Sequence, residues 1–147
     1  MSEMLANQYF LIRKYNLAAK ELEQSISLSD DNKLITKKLI ICYTQINKPK
    51  EALGLFLKII ISDIDFIMKT DLNSEDCPCF ELLDRIKADY VRYEDEFTKS
   101  FVLGILYLYC NIKESVVYFE NANKIEPSNK IINNIIEILN RKMKNYH

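Results

Sequence analysis

The chain has 147 residues, 48% of them hydrophobic, and a formal net charge of −1. That length suits one domain with a real core, and near-neutrality gives no reason to expect a nucleic-acid or membrane surface. Two glycines and three prolines exclude a chain dense in tight turns. No basic stretch followed by an apolar run opens the sequence, so no signal peptide is expected. The longest apolar runs are too short, and too charged at their edges, to span a bilayer. Cys42, Cys77, Cys79 and Cys110 then read as small buried hydrophobes of a reducing compartment, nuclear or cytoplasmic.

Taken in chain order, the periodicity is helical throughout. Leu5, Tyr9 and Ile12, then Ala18, Leu22 and Ile26, recur three and four apart, as do Leu39, Tyr43 and Ile46, then Ala52, Phe56 and Ile60. Polar breaks at Arg13-Lys14, Ser29-Asp30-Asp31 and Asn47-Lys48-Pro49 separate the segments. Proline is tolerated in a first helical turn, where no amide partner is needed, and Asn47 is expected to cap the helix that Pro49 starts. Leu5 to Leu39, Tyr9 to Tyr43, Ala18 to Ala52 and Leu22 to Phe56 are each 34 residues. One hairpin cannot bury its apolar face alone, so a repeated hairpin implies a stack.

The sequence between Tyr43 and Tyr107, 64 residues, leaves about 30 for a repeat that needs 34. Residues 62–96 hold eleven acids against Lys69, Arg85, Lys87 and Arg92, a balance of −7, so the remainder carries +6. Phe80–Tyr93 is expected as one helix burying Phe80, Leu83, Ile86 and Tyr90, with a loop over Lys69–Asp76. The acids read either as a solvated surface or as a site for a basic partner. A third hairpin shows as Leu103-Gly104-x-x-Tyr107, then Phe119, Ala122 and Pro127, its internal turn one residue short. Ser128 is expected to cap a last helix with Ile131, Ile135, Ile138 and Leu139 on its apolar face and Asn133, Asn134, Glu137, Asn140 and Arg141 opposite.

The pattern Leu-small-x-x-Tyr, then Ala-x-x-x-Phe, then Pro, at period 34, resembles the tetratricopeptide repeat. The resemblance implies an all-α fold of stacked hairpins in a short solenoid, with an irregular hairpin in the middle and a C-terminal capping helix. Its expected bounds, within one domain over 1–147, are repeat 1 at about 2–30, repeat 2 at about 33–61, the irregular segment at about 62–96, repeat 3 at about 97–126 and the last helix at about 128–144. Packing between hairpins falls to Ala6, Tyr9, Ala18, Tyr43, Ala52, Phe56, Gly104, Tyr107, Phe119, Ala122 and Pro127. Ile40 replaces the small residue of the second copy.

Residues with catalytic chemistry are sparse. His147, the last residue, is the only histidine, so no Ser-His-Asp or Cys-His set assembles. Cys77-Pro78-Cys79 has one intervening residue where the redox motif has two, and Cys42 and Cys110 are expected inside helices, where packing would bury them. Gly54 and Gly104 stand alone, which excludes a glycine-rich phosphate loop. No catalytic residue, metal or cofactor is therefore expected. A tetratricopeptide adaptor holding an acidic chaperone tail uses a clamp of lysines and asparagines. Asn7 matches one asparagine, but Glu3 stands at a lysine position and Lys38 at the second asparagine.

"KLIICYTQINKPKEALGLFLK", "KYNLAAKELEQSI" and "SFVLGILYLYC" followed by "KESVVYFENANKIEP" resemble the N-terminal repeats of tetratricopeptide subunits of the anaphase-promoting complex, most of all the subunit that receives the coactivator tail. That resemblance implies a nuclear scaffold of a cell-cycle ubiquitin ligase whose N-terminal repeats form homodimers and contact other subunits. The alternatives are a stand-alone adaptor for a peptide or a basic partner and a scaffold of another pathway.

Self-association also follows from the residues themselves. In "EALGLFLKIIISDIDFIM", Ala52, Phe56, Ile59 and Ile60 suffice to pack one hairpin, while further apolar residues run all round the helix. A homodimer contact is expected at Leu53, Leu57, Ile60, Ile61, Ile64, Phe66 and Ile67, unless the irregular segment covers them.

Overall fold

The computed structural model describes residues 2–28, 32–71 and 78–145. Among them the chain is all-α, with eight helices: α1 (Ser2–Leu11), α2 (Tyr15–Leu28), α3 (Lys33–Gln45), α4 (Pro49–Met68), α5 (Cys79–Lys87), α6 (Glu96–Leu108), α7 (Ile112–Ile125) and α8 (Lys130–Lys144). Contacts cluster into two compact units, Met1–Ile59 and Ile60–His147.

In the first unit α1 pairs with α2 and α2 with α3. Ala6 and Phe10 of α1 are fully buried, and Ala18, Ala19 and Leu22 of α2 and Ile35, Leu39 and Ile40 of α3 are buried as well in the unit's core. The expected face of α1 is thus rotated: Leu5 is 37% exposed and Ile12 62%, while Phe10, which the three-and-four spacing passed over, closes the core edge-on against Tyr15 at 5.8 Å. Ile40 is fully buried at the slot that Ala6 fills in the first copy.

The two hairpin turns of this unit share one backbone geometry. Arg13 and Asn47, 34 residues apart, both sit at φ 63°. The amides of Lys14 and Lys48 donate to the carbonyls of Tyr9 and Tyr43, at 2.9 and 3.1 Å. This is a left-handed residue closing a helix, with orphan carbonyls satisfied five residues back. Asn47 therefore ends α3 and does not cap α4. The carbonyls of Lys14 and Lys48 take the first helical bonds, from Ala18 and Ala52, so lysines occupy the N-cap positions of α2 and α4.

α4 is interrupted at Asp63, whose φ of −164° and ψ of 80° are non-helical. One continuous helical face therefore does not extend from Leu53 to Ile67.

In the second unit α5 pairs with α6, α6 with α7 and α7 with α8. α5 is shorter than the helix expected over Phe80–Tyr93, because Asp89 at φ 64° closes it and the Tyr90 amide donates to the Arg85 carbonyl at 2.9 Å. Its buried face is Cys79, Leu82, Leu83 and Ile86, whereas Phe80 is 54% and Tyr90 76% exposed. The loop expected over Lys69–Asp76 is non-helical at Lys69–Asp71, and 72–76 lie outside the described residues.

α6 and α7 make the tightest hairpin. A Cβ placed on Gly104 would stand 2.7 Å from the ring of Phe119, which is fully buried, so only glycine fits. The Ser115 hydroxyl donates to the Gly104 carbonyl at 2.7 Å, satisfying a buried polar group at the same approach. The turn is one residue shorter than the other two. Tyr107 accepts from Cys110 and Asn111, and the Asn111 side chain caps α7 by accepting from the Glu114 amide at 3.2 Å. Cys110 thus lies in the turn after α6, half-buried, and not inside a helix.

α8 is capped by Asn129, which accepts from the Ile132 amide at 3.1 Å, one residue beyond the expected Ser128. Ile132, Ile135 and Leu139 form its buried face, and Ile131 is 41% exposed. Pro127 is exposed and takes no part in packing; its carbonyl accepts from the Asn133 amide group at 3.0 Å.

Candidate interaction surfaces

Buried titratable groups of the first unit converge on α3. Lys38 is 5% exposed, donates to the Asn7 carbonyl oxygen at 2.7 Å, and lies 5.7 Å from the centre of the Phe10 ring. The two clamp positions that departed from or matched the chaperone-tail pattern therefore meet each other inside the unit. Tyr43 donates to Glu23 Oε2 at 2.5 Å, tying α3 to α2. Burial pushes the Tyr43 hydroxyl well above its ordinary range, and the Glu23 carboxylate adds to the effect. Burial likewise pushes the Cys42 thiol up to about 12, which keeps it protonated and a poor nucleophile at neutral pH.

Cys79 is buried and Cys110 half-buried; Cys77 and His147 lie outside the described residues. Among the described residues no group of three or more His, Cys, Asp or Glu is placed to hold a metal ion, and no helix is long and apolar enough to cross a membrane.

The acids of the irregular segment are dispersed. Asp95 caps α6, accepting from the Thr98 amide at 2.8 Å. Asp89 pairs with Lys99 at 3.1 Å, and both border a shallow depression of about 490 Å³ with Val91, Arg92, Tyr93 and Glu94. Arg92 and Lys99 stand among the acids there, so the depression does not present a single sign of charge. Asp65 accepts from Lys142 at 2.8 Å, and that hydrogen bond holds its carboxyl below the ordinary range. Glu75 and Asp76 lie outside the described residues.

The expected self-contact is divided by the fold. Leu53, Ile60 and Ile67 are 5%, 3% and 0% exposed, so a single chain already covers them. Of the three, only Ile67 follows the break at Asp63, which a straight-helix projection does not anticipate; Leu53 and Ile60 precede it and are buried on the uninterrupted part of α4. Leu57, Ile64 and Phe66 are half-buried, and Ile61 alone stands out, 64% exposed. Of the expected packing residues, Ala6, Ala18, Ala52, Phe56, Phe119 and Ala122 are fully buried, Tyr43 nearly so, and Tyr9 and Tyr107 half-buried.

Two surfaces escaped the sequence reading. One is a groove of about 450 Å³ between the end of α4 and α8, lined by Ile60, Ile61, Ile64, Asn134, Ile138, Arg141, Lys142 and Asn145. The polar residues of α8 were legible, but not that α4 returns beside them. The other is a stack of Tyr107 on Tyr118, ring centres 5.3 Å apart and 8° from parallel, with the Lys87 ammonium 4.8 Å from the Tyr107 ring centre and hydrogen-bonded to its hydroxyl. That bond raises the Lys87 pKa.

Compared with protein-family models, curated protein sequences and solved structures, the chain matches none.

Proposed function

We propose that this chain is a non-enzymatic protein–protein interaction scaffold: tetratricopeptide-type hairpins serving as the N-terminal, self-associating module of a repeat subunit in a ubiquitin ligase of the anaphase-promoting type. The observation that supports the repeat reading is the pair of turns that share a left-handed residue and a hydrogen bond. Arg13 and Asn47 share a left-handed φ of 63° at a spacing of 34, and each is followed by a lysine amide bonded to a tyrosine carbonyl. A period written in the side chains and again in the backbone supports duplicated structural units, and such units join proteins by their surfaces. The ligase assignment rests on the three stretches of sequence resemblance. Its partners are a second copy and other subunits of the complex.

The test is to tag the protein in its own cells and purify it under mild conditions. Stoichiometric recovery of other ligase subunits, with ubiquitin-chain synthesis by the eluate once activating and conjugating enzymes are added, is expected. Recovery of the chain alone, or with the subunits of another machine, overturns the ligase reading.

A further inference from the structure

We propose that the groove between the end of α4 and α8 seats a second copy of this chain, with Ile61 of each copy entering the groove of the other about a two-fold axis. The proposal deepens the self-association in the reading above by naming its surface, and it moves the contact from α4 alone to a face shared with α8. All the residues concerned belong to the second unit, so the face is carried by one compact body.

An isologous contact needs a projection and a recess on the same patch, because each copy must offer both. Ile61 is the projection: it is the most exposed isoleucine of α4, at 64%. The recess beside it has Ile60, Ile64 and Ile138 among its lining residues and a volume of about 450 Å³. Closing it takes apolar surface out of water on both copies at once.

The charges favour a second copy over a charged partner. Arg141 lies 3.5 Å from Glu137, and Lys142 2.8 Å from Asp65. The two cations that line the groove are thus each paired with an anion beside them, Glu137 and Asp65. A patch of one sign would repel its own two-fold mate; a balanced one can exchange partners with it and leaves no unmatched field to attract an acidic or basic peptide. Asn134 and Asn145 complete the rim, and each amide both donates and accepts, so it too can pair with its symmetry mate.

Sedimentation equilibrium of the full chain at micromolar concentration tests this. The expected mass is twice 17.3 kDa. Ile61→Asp should weaken the dimer about tenfold or more, since it places a charge at the centre of an apolar contact. Val117→Asp, the same kind of change at an exposed position of α7, should leave the dimer intact. Arg141→Glu, on a 67% exposed side chain that carries little folding risk, should weaken it several-fold by unbalancing the patch. A folded Ile61→Asp variant that dimerises like the parent overturns the groove while leaving self-association standing. A monomeric parent chain overturns both, and neither result bears on recovery of the ligase subunits. Should Ile61→Asp not fold, an Arg141→Glu dimer as tight as the parent's overturns the groove by itself.

Discussion

The ends of α1, α3 and α5 differ from the end of α6 in a way that one residue decides. The first three close with a left-handed residue, Arg13, Asn47 or Asp89, and a hydrogen bond reaching five residues back. The fourth closes without one: Asn111 bonds only four residues back, to Tyr107, at 2.6 Å. With one residue fewer there is no room for the left-handed step, and the next residue becomes the cap at once. The long turns before α2 and α4 place Lys14 and Lys48 at the N-cap, which a lysine cannot serve because it has no acceptor. The short turn places Asn111 there, and its side chain takes the Glu114 amide. A hairpin whose second helix has a proper cap and one whose second helix lacks it thus differ by a single residue of turn length.

The largest test of this contrast is removal of what the tight hairpin supports. Ile132, Ile135 and Leu139 of α8 are fully buried, and each such side chain contributes about 1.5–3 kcal/mol. Deleting residues 129–147 should lower the melting temperature by several degrees or more; an unchanged melting curve would show that α8 is not docked on α7. Next comes the approach inside the hairpin. Gly104→Ala should cost about 1–3 kcal/mol in chemical denaturation, because the added methyl meets a buried ring. Gly54→Ala, with nothing within 4 Å of the new methyl, should instead gain about 0.5–1 kcal/mol from helix propensity. Equal effects at the two glycines would refute the close approach at Gly104.

The caps give a smaller and opposite pair of effects. Asn111→Ala should lose about 1 kcal/mol, while Lys14→Asp should gain about as much by supplying the acceptor that α2 lacks. A Lys14→Asp variant no more stable than the parent would mean that the turn cannot bring the carboxylate to the α2 amides. The last effect is a pH dependence that belongs to the first unit and shows only in alkali. Burial pushes the Cys42 thiol from its ordinary value of 9.0 up to about 12, and the Tyr43 hydroxyl is shifted up as well. A group whose folded pKa is raised contributes stability that is complete below the unfolded value and falls as pH climbs toward the folded one. Denaturation midpoints should therefore hold up to about pH 9 and then decline, and Cys42→Ala should flatten part of that slope.

Helices were legible wherever spacing and breaks agreed, as at α2, α3 and α6. The short turn after Tyr107 was legible as a count. What was not legible turned on backbone states that side-chain patterns do not encode. Asn47 has the chemistry of a cap and of a left-handed residue alike, and the period of the turn, shared with Arg13, decides for the second. Asp89 ends α5 early and so leaves Tyr90 in water. The break at Asp63 re-aims the residues after it, which is why Ile67 is buried although a straight helix made it surplus. Lys38 and Asn7 stand 31 positions apart in the chain, and their hydrogen bond to each other exists only in three dimensions. The groove beside α8 was hidden for a related reason, since its two walls are some 70 residues apart in the chain.

The contact between Gly104 and Phe119 also sets a limit on how this stretch can vary. Every single-base change that alters a glycine codon's amino acid introduces a side chain, and each of those must push against a ring that is already enclosed. Drift at this position is costly unless Phe119 changes first, and a smaller residue at 119 would open a void that a later alanine or serine at 104 could fill. The two positions are expected to change together and in that order, whereas Gly54, facing open space, is free to change by itself.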